Sequence, residues 1–173
     1  MSVYKEIIEV RSKGASPTFI NVTEEVRGAI EKSGIRDGIA TVISPHTTCG
    51  VFFEEFVHDV DADGVETLQH DLNDVLKKII PDQMALDDYH YPAEEHYRAV
   101  ERWPNAAEYL PDGDRSALFN GDAHLKATLI GSSQTFLVDG GKLGVGTTGY
   151  IYFVDFDRTR ARTRKCQIVV LGA

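Results

Sequence analysis

An α+β fold in a single domain is what this sequence predicts, and three observations point to it. The chain has 173 residues, of which 42% are hydrophobic, so it is long and apolar enough to bury one ordinary core. It carries several strand-like runs beside a few helix-like segments. It shows no internal repeat, no low-complexity tract and no composition shift that would mark a second domain.

Residues 3–11 alternate in an extended pattern with Tyr4, Glu6, Ile8 and Val10 on one face, which predicts a strand. Phe19-Ile20-Asn21-Val22 predicts a short second one. Thr23 stands where a cap belongs for a helix over 24–33, with acids in its first turn and Gly34 as its stop. The apolar run 38–44 reads as a buried strand, and 49–53 as its successor. The longest helix is expected over 63–80, ended by Pro81. Val65, Leu68, Leu72, Val75, Leu76 and Ile79 then share one side, His70 and Asp74 the other, and Asp71 the flank, aimed inward. Residues 83–119 break the pattern with Pro92, Pro104, Pro111, many charges and several aromatics, and read as a long ordered loop or flap holding a short helix over 94–102. Residues 123–130 fit a short helix or a strand, stopped by Gly131. Strands are expected at 134–138, turning at Asp139-Gly140-Gly141, and again at 150–156 and 166–171.

The charge balance narrows the function. With 27 acids against 18 lysines and arginines the net charge is -9, which argues against broad binding to nucleic acid or to an anionic membrane. A local basic pocket for a small phosphorylated ligand is compatible with it. Two cysteines, Cys49 and Cys166, are too few for a disulfide framework and fit reduced thiols in the cytoplasm. The polar start of the chain lacks the apolar core of a signal peptide, and no run is long enough to span a bilayer. A soluble cytoplasmic protein is expected.

The candidate chemistry begins at Ser44-Pro45-His46-Thr47-Thr48-Cys49-Gly50, where a buried strand delivers a histidine and two hydroxyls at its exit. His90 and His124 sit in similar polar clusters, and imidazole serves either as a metal ligand or as a proton carrier near neutrality. His58, His70 and His96 read as solvated or loop residues. Glu54 and Glu55 close an apolar strand, so alternation turns one of them toward the core side, where a carboxylate needs a partner. Cys49 reads as a small core residue. Gly144-Val145-Gly146-Thr147-Thr148-Gly149 is a literal G-x-G-x-x-G, but a strand pattern follows it and no helix does, which rejects a dinucleotide site. Arg158, Arg160, Arg162 and Arg164 recur every second residue, the one concentration of positive charge in the chain. They fit either a solvated edge or phosphate binding by one or two of them.

Taken in order, these pieces resemble the YjbQ family, known as secondary thiamine-phosphate synthase enzymes. The resemblance runs from the strand ending in Ser44-Pro45-His46-Thr47-Thr48 through Glu54-Glu55, Asp71-Leu72 and Tyr89-His90. It continues through Asp122-Ala123-His124-Leu125-Lys126, Leu129-Ile130-Gly131-Ser132-Ser133 and Lys142 to Thr147, and ends with Asp157 and Arg160. It implies a compact α+β domain with mixed, largely antiparallel sheets, assembled as a homotrimer. It implies catalytic roles for His46, Glu55, Asp71 and His124. A divalent metal, zinc or magnesium, would lie on His46, His90 and His124, and substrate contacts would come from Thr47, Thr48, Lys126 and Arg160. The implied reaction joins a pyrimidine methyl diphosphate to a thiazole phosphate and releases pyrophosphate, either as the main reaction or as a side activity. The alternatives are metal-dependent hydrolysis of a small phosphorylated or acyl metabolite and a non-catalytic metabolite-binding trimer. The chain departs from the family pattern at three places. Thr148-Gly149 replaces Trp-Gln, the spacing from Glu55 to Asp71 is longer, and the segment between His90 and Asn120 is longer.

Overall fold

Alternation builds the first sheet. In the computed structural model, which describes all 173 residues, β1 (Ser2–Ser12) turns Tyr4, Glu6, Ile8 and Val10 inward and leaves the residues between them exposed. It pairs along its whole length with β8 (Arg162–Gly172), from Ser2 opposite Gly172 to Ser12 opposite Arg162. β3 (Gly38–Ile43) pairs with the other edge of β8, and β5 (Ser133–Asp139) and β6 (Lys142–Leu143) complete the order β1-β8-β3-β5-β6. A second sheet has the order β2-β7-β4, from Thr18–Asn21, Gly149–Asp155 and Cys49–Glu55. Every pairing in both sheets is antiparallel.

The second sheet is buried on both faces, which explains why its strands read as continuous apolar runs. One face, with Val51, Ile151 and Phe153, meets Ala40, Val42, Cys166, Ile168 and Val170 of the first sheet and Val26, Ala29 and Ile30 of α1 (Thr23–Ser33). The other, with Phe52, Tyr152 and Val154, packs on Leu76 of α2 (Thr67–Ile79) and Ala123 and Ala127 of α5 (Gly121–Ile130). The stretch expected as a helix or a strand at 123–130 is therefore a helix.

Two local expectations are corrected. Thr23 does not cap α1: its hydroxyl accepts the Ile151 N–H at 2.9 Å and its own N–H donates to Asn21 Oδ1 at 3.1 Å. The helix stop at Gly34 holds, with φ of 66° in the left-handed region. α2 starts four residues later than its apolar spacing suggests, because Asp61 Oδ1 accepts the N–H groups of Asp63 and Val65 and holds them in a turn. Its buried line is Gln69, Asn73 and Leu76, while Val75 and Ile79 are exposed.

Residues 83–119 are folded. α3 (Glu94–Glu101) and α4 (Ala106–Tyr109), with two short 3-10 turns, close on a small core of Tyr97, Val100, Leu110 and Leu118. No helix of the protein is long and apolar enough to cross a membrane.

Candidate functional site: a polar cleft walled by the insert

The strand end that carries His46 opens onto a cleft of about 370 Å³. Its floor is built by three chain segments that leave the two sheets at the same end. His46, Thr47 and Thr48 follow β3, Asp157 follows β7, and Arg162 and Arg164 begin β8. Asn120 and His124 come from the start of α5. The insert closes the other side with Tyr91, His96, Val100, Trp103, Tyr109 and Leu118.

Buried ion pairs hold the floor. Arg164 grips Asp155, which is fully buried, through Nε to Oδ2 at 2.7 Å and Nη2 to Oδ1 at 3.2 Å, and Nη2 also donates to Thr48 Oγ1 at 3.0 Å. Arg162 Nη2 lies 2.8 Å from Asp157 Oδ2, and the same oxygen accepts from Asn120 Nδ2 at 3.0 Å. The other Asp157 oxygen accepts the N–H and the hydroxyl of Thr159. Burial alone would raise the Asp157 carboxyl, but Arg162, Thr159 and Asn120 outweigh it and hold the group below the usual carboxylate range. The two arginines keep unused donors. Arg164 Nη1 makes no protein hydrogen bond, and Arg162 Nε is buried without a partner.

The imidazoles differ in what they offer. The Lys165 N–H donates to His46 Nε2 at 2.8 Å, so neutral His46 carries its proton on Nδ1 and presents a donor. Burial, reinforced by Arg164, pushes its pKa down. Burial also lowers His124, against the opposing pull of Asp157 and the Thr47 backbone. Both rings are therefore neutral at pH 7. His96 Nε2 lies 3.1 Å from the Tyr91 hydroxyl, and the Tyr91 ring stands edge-on to His124 with centroids 5.5 Å apart.

Of the residues expected at the site, His46, Thr47, Thr48 and His124 meet in this cleft. The others lie elsewhere. His90 lines a neighbouring groove beyond Tyr91. Glu55 is exposed at the end of β4; alternation puts Glu54 on the inner face after Phe52, where burial and nearby Glu66 raise its carboxyl. Asp71 is exposed because it sits about 200° around α2 from buried Gln69, at about 100° per residue. Lys126 is fully buried, with Nζ at 2.6 Å from Asp82 and 2.8 Å from Asp122, so it ties the chain before the insert to α5. Arg160 lies over the Tyr109 ring at 5.3 Å and donates to the Tyr109 carbonyl. The four alternating arginines do not share a face, because 156–161 is not extended as a strand. Arg158 turns to Asp82 and Asp122, and only Arg162 and Arg164 enter the floor.

A divalent ion does not fit this donor set. No three histidine, cysteine, aspartate or glutamate side chains stand close enough to share one. His46 Nε2 already accepts an amide, and both oxygens of Asp157 are occupied. The sequence signal for the missed groups was weak. His96 reads as a solvated or loop residue, and Asp155 lies inside the apolar strand run 150–156 with no local sign of a charged partner.

A three-layer α+β domain with two antiparallel sheets and a polar cleft at one sheet end defines the class. A family model described as UPF0047 protein YjbQ-like matches residues 6–173, and the chain belongs to that family. The UPF0047 protein YugU of Bacillus subtilis is 31% identical over 154 residues, covering 89% of each chain. A UPF0047 protein of Methanothermobacter thermautotrophicus is 28% identical over 172 residues, 99% of this chain and 94% of that one. Among solved structures, a YbjQ-like protein of unknown function from Sulfolobus solfataricus superposes with a TM-score of 0.72 at 24% identity, over 99% of both chains. An uncharacterised YjbQ/UPF0047 protein of Clostridium acetobutylicum does so with 0.64 at 31% identity, covering 95% of this chain and 99% of that one.

Proposed function

We propose that the cleft binds a small phosphorylated metabolite and acts on it as a transferase of the thiamine-phosphate-synthase type. The observation that carries this reading is the set of donors left without a protein partner on three residues that line one small cavity: Arg162 Nε, Arg164 Nη1 and the Nδ1–H of His46. Phosphate oxygens accept several such donors at once, and guanidinium suits them geometrically. In the condensation, the thiazole nitrogen bonds the methylene carbon of the pyrimidine methyl diphosphate. The carbon–oxygen bond breaks, and pyrophosphate leaves with the bonding pair. Fixed donors on the departing oxygens stabilise the charge that develops there. The attacking nitrogen has no proton to lose, so the step needs no protein base, in keeping with a His46 whose Nε2 is already occupied.

The test is turnover of the two phosphorylated precursors, with product and pyrophosphate both measured, with and without chelator. Arg162→Gln is expected to lower the rate by roughly 10²-fold or more, the scale of removing one charge-stabilising donor. Chelator is expected to leave pyrophosphate binding unchanged. Rapid hydrolysis of a phosphorylated or acyl metabolite with only trace condensation would replace this reading with a hydrolase, and binding without turnover would leave a metabolite-binding protein.

We further propose the homotrimer that the family resemblance implies. In support, the outer face of the larger sheet carries no helix and presents Val3, Leu171, Ile39 and Leu137 in one cross-strand row. Val3, Ile39 and Leu137 are 41–59% exposed, more aliphatic surface than an isolated sheet face ordinarily shows.

A further inference from the structure

We infer that the insert makes this cleft selective for phosphorylated ligands that carry a flat ring, with Trp103 and Tyr109 as the ring-binding residues. The inference rests on the phosphate reading above and adds the residues that choose among phosphates. The cleft is two-sided in chemistry. Charged and hydrogen-bonding groups make its floor, and the insert contributes the aromatic rings of Tyr91, Trp103 and Tyr109 opposite.

The arrangement of the two outer rings is specific. The small core of the insert is made by Tyr97, Val100, Leu110 and Leu118, and Trp103 is not among them. Trp103 instead stays 43% exposed at the cleft, perpendicular to Tyr109 with centroids 5.0 Å apart. Tyr109 in turn is fixed from behind by Arg160, which lies over its ring and donates to its carbonyl. Arg160 is therefore a buttress of the wall, and phosphate falls to Arg162 and Arg164. A large ring held half-open beside a cationic floor leaves a face for a second ring to stack on, and such contacts are sequence- and substituent-tolerant.

Trp103 is the single tryptophan of the chain, so its fluorescence reports the wall alone. The experiment titrates inorganic phosphate, glycerol phosphate, phenyl phosphate and uncharged benzyl alcohol into the full-length protein by calorimetry, with fluorescence in parallel. Phenyl phosphate is expected to bind about tenfold more tightly than glycerol phosphate, the worth of about 1.4 kcal/mol of stacking, and to quench Trp103. Trp103→Ala is expected to bring the two within about twofold while leaving inorganic phosphate unchanged, and Trp103→Phe to keep most of the preference. Equal binding of phenyl and glycerol phosphate by the wild type, or a preference that survives Trp103→Ala, overturns the inference. Failure of all three phosphates overturns the phosphate reading instead. The wall then stands if benzyl alcohol quenches Trp103 and loses affinity in Trp103→Ala, and falls if it does neither.

Discussion

Arg164 shows how much of this site is an electrostatic bargain between neighbours. Its guanidinium is buried because Asp155 meets it with both oxygens, and Asp155 is buried because Arg164 is there. Removing one partner leaves the other charge uncompensated, so Arg164→Met is expected to cost about 3–5 kcal/mol in urea unfolding. Asp155→Leu with Arg164→Met should recover much of that loss, and a double variant no better than the single would remove the pair as the cause. The imidazoles add a pH signature. His46 and His124 have folded pKa values pushed below their ordinary 6.5, chiefly by burial. Below about pH 6.5 the unfolded chain takes up protons that the folded chain refuses. Their contribution to stability is therefore whole above that pH and is lost as pH falls from it toward the folded values. His124→Gln should flatten the decline measured between pH 7 and 5. A bound phosphate should have the opposite effect on the rings, favouring their charged form, so pyrophosphate affinity is expected to rise across the same range as pH falls.

The decisive element is the insert. A segment rich in proline and charge became a small folded unit because Tyr97, Val100, Leu110 and Leu118 are spaced to meet one another. It is fastened at its root by Lys126, whose ammonium joins Asp82 to Asp122, and by Gln83, which accepts the Gly121 N–H at 2.8 Å and donates to the Tyr91 carbonyl at 2.8 Å. Lys126→Met should thus cost about 3 kcal/mol, because buried Asp122 is left with only Arg158, 3.8 Å away, as a cationic partner. It should also release hydrogen-exchange protection in 82–92 beyond what the global loss explains. Uniform loss across the molecule would show that the root does not depend on this lysine. The last glycine of the G-x-G-x-x-G run, which opens β7, has a packing reason instead. A side chain at Gly149 would strike the Phe53 ring, with a Cβ placed only 2.1 Å from it.

At the scale of the whole molecule, the two sheets and the helices on one side leave the other side bare. The row Val3, Leu171, Ile39 and Leu137 is expected to be covered in a homotrimer, with a light-scattering mass three times that of the 19.2 kDa chain. Leu137→Lys combined with Ile39→Lys should reduce it to one, since charges facing one another across an apolar contact lose their hydration. A wild type that runs as a monomer, or a trimer indifferent to those lysines, removes this face from the assembly.

Local pattern was enough for most of the fold. Alternation in β1, the unbroken apolar runs of β4 and β7, and the glycine after α1 follow from neighbours within a few residues, and each is where its residues alone put it. His46, Thr47, Thr48 and His124 were legible as a site because they stand at element ends with polar neighbours. What the sequence could not determine is burial set by distant partners. Lys126 and Arg160 were expected to contact substrate, yet Asp82 before the insert and Asp122 after it hold the one, and Tyr109 takes the other. Asp155 lies inside the apolar run 150–156, where nothing local points to the Arg164 that meets it from the other sheet, and His96 read as a solvated or loop residue although Tyr91 lies within hydrogen-bonding distance. A charge's surroundings depend on which segments share its end of the sheets, and only the tertiary structure brings those segments together.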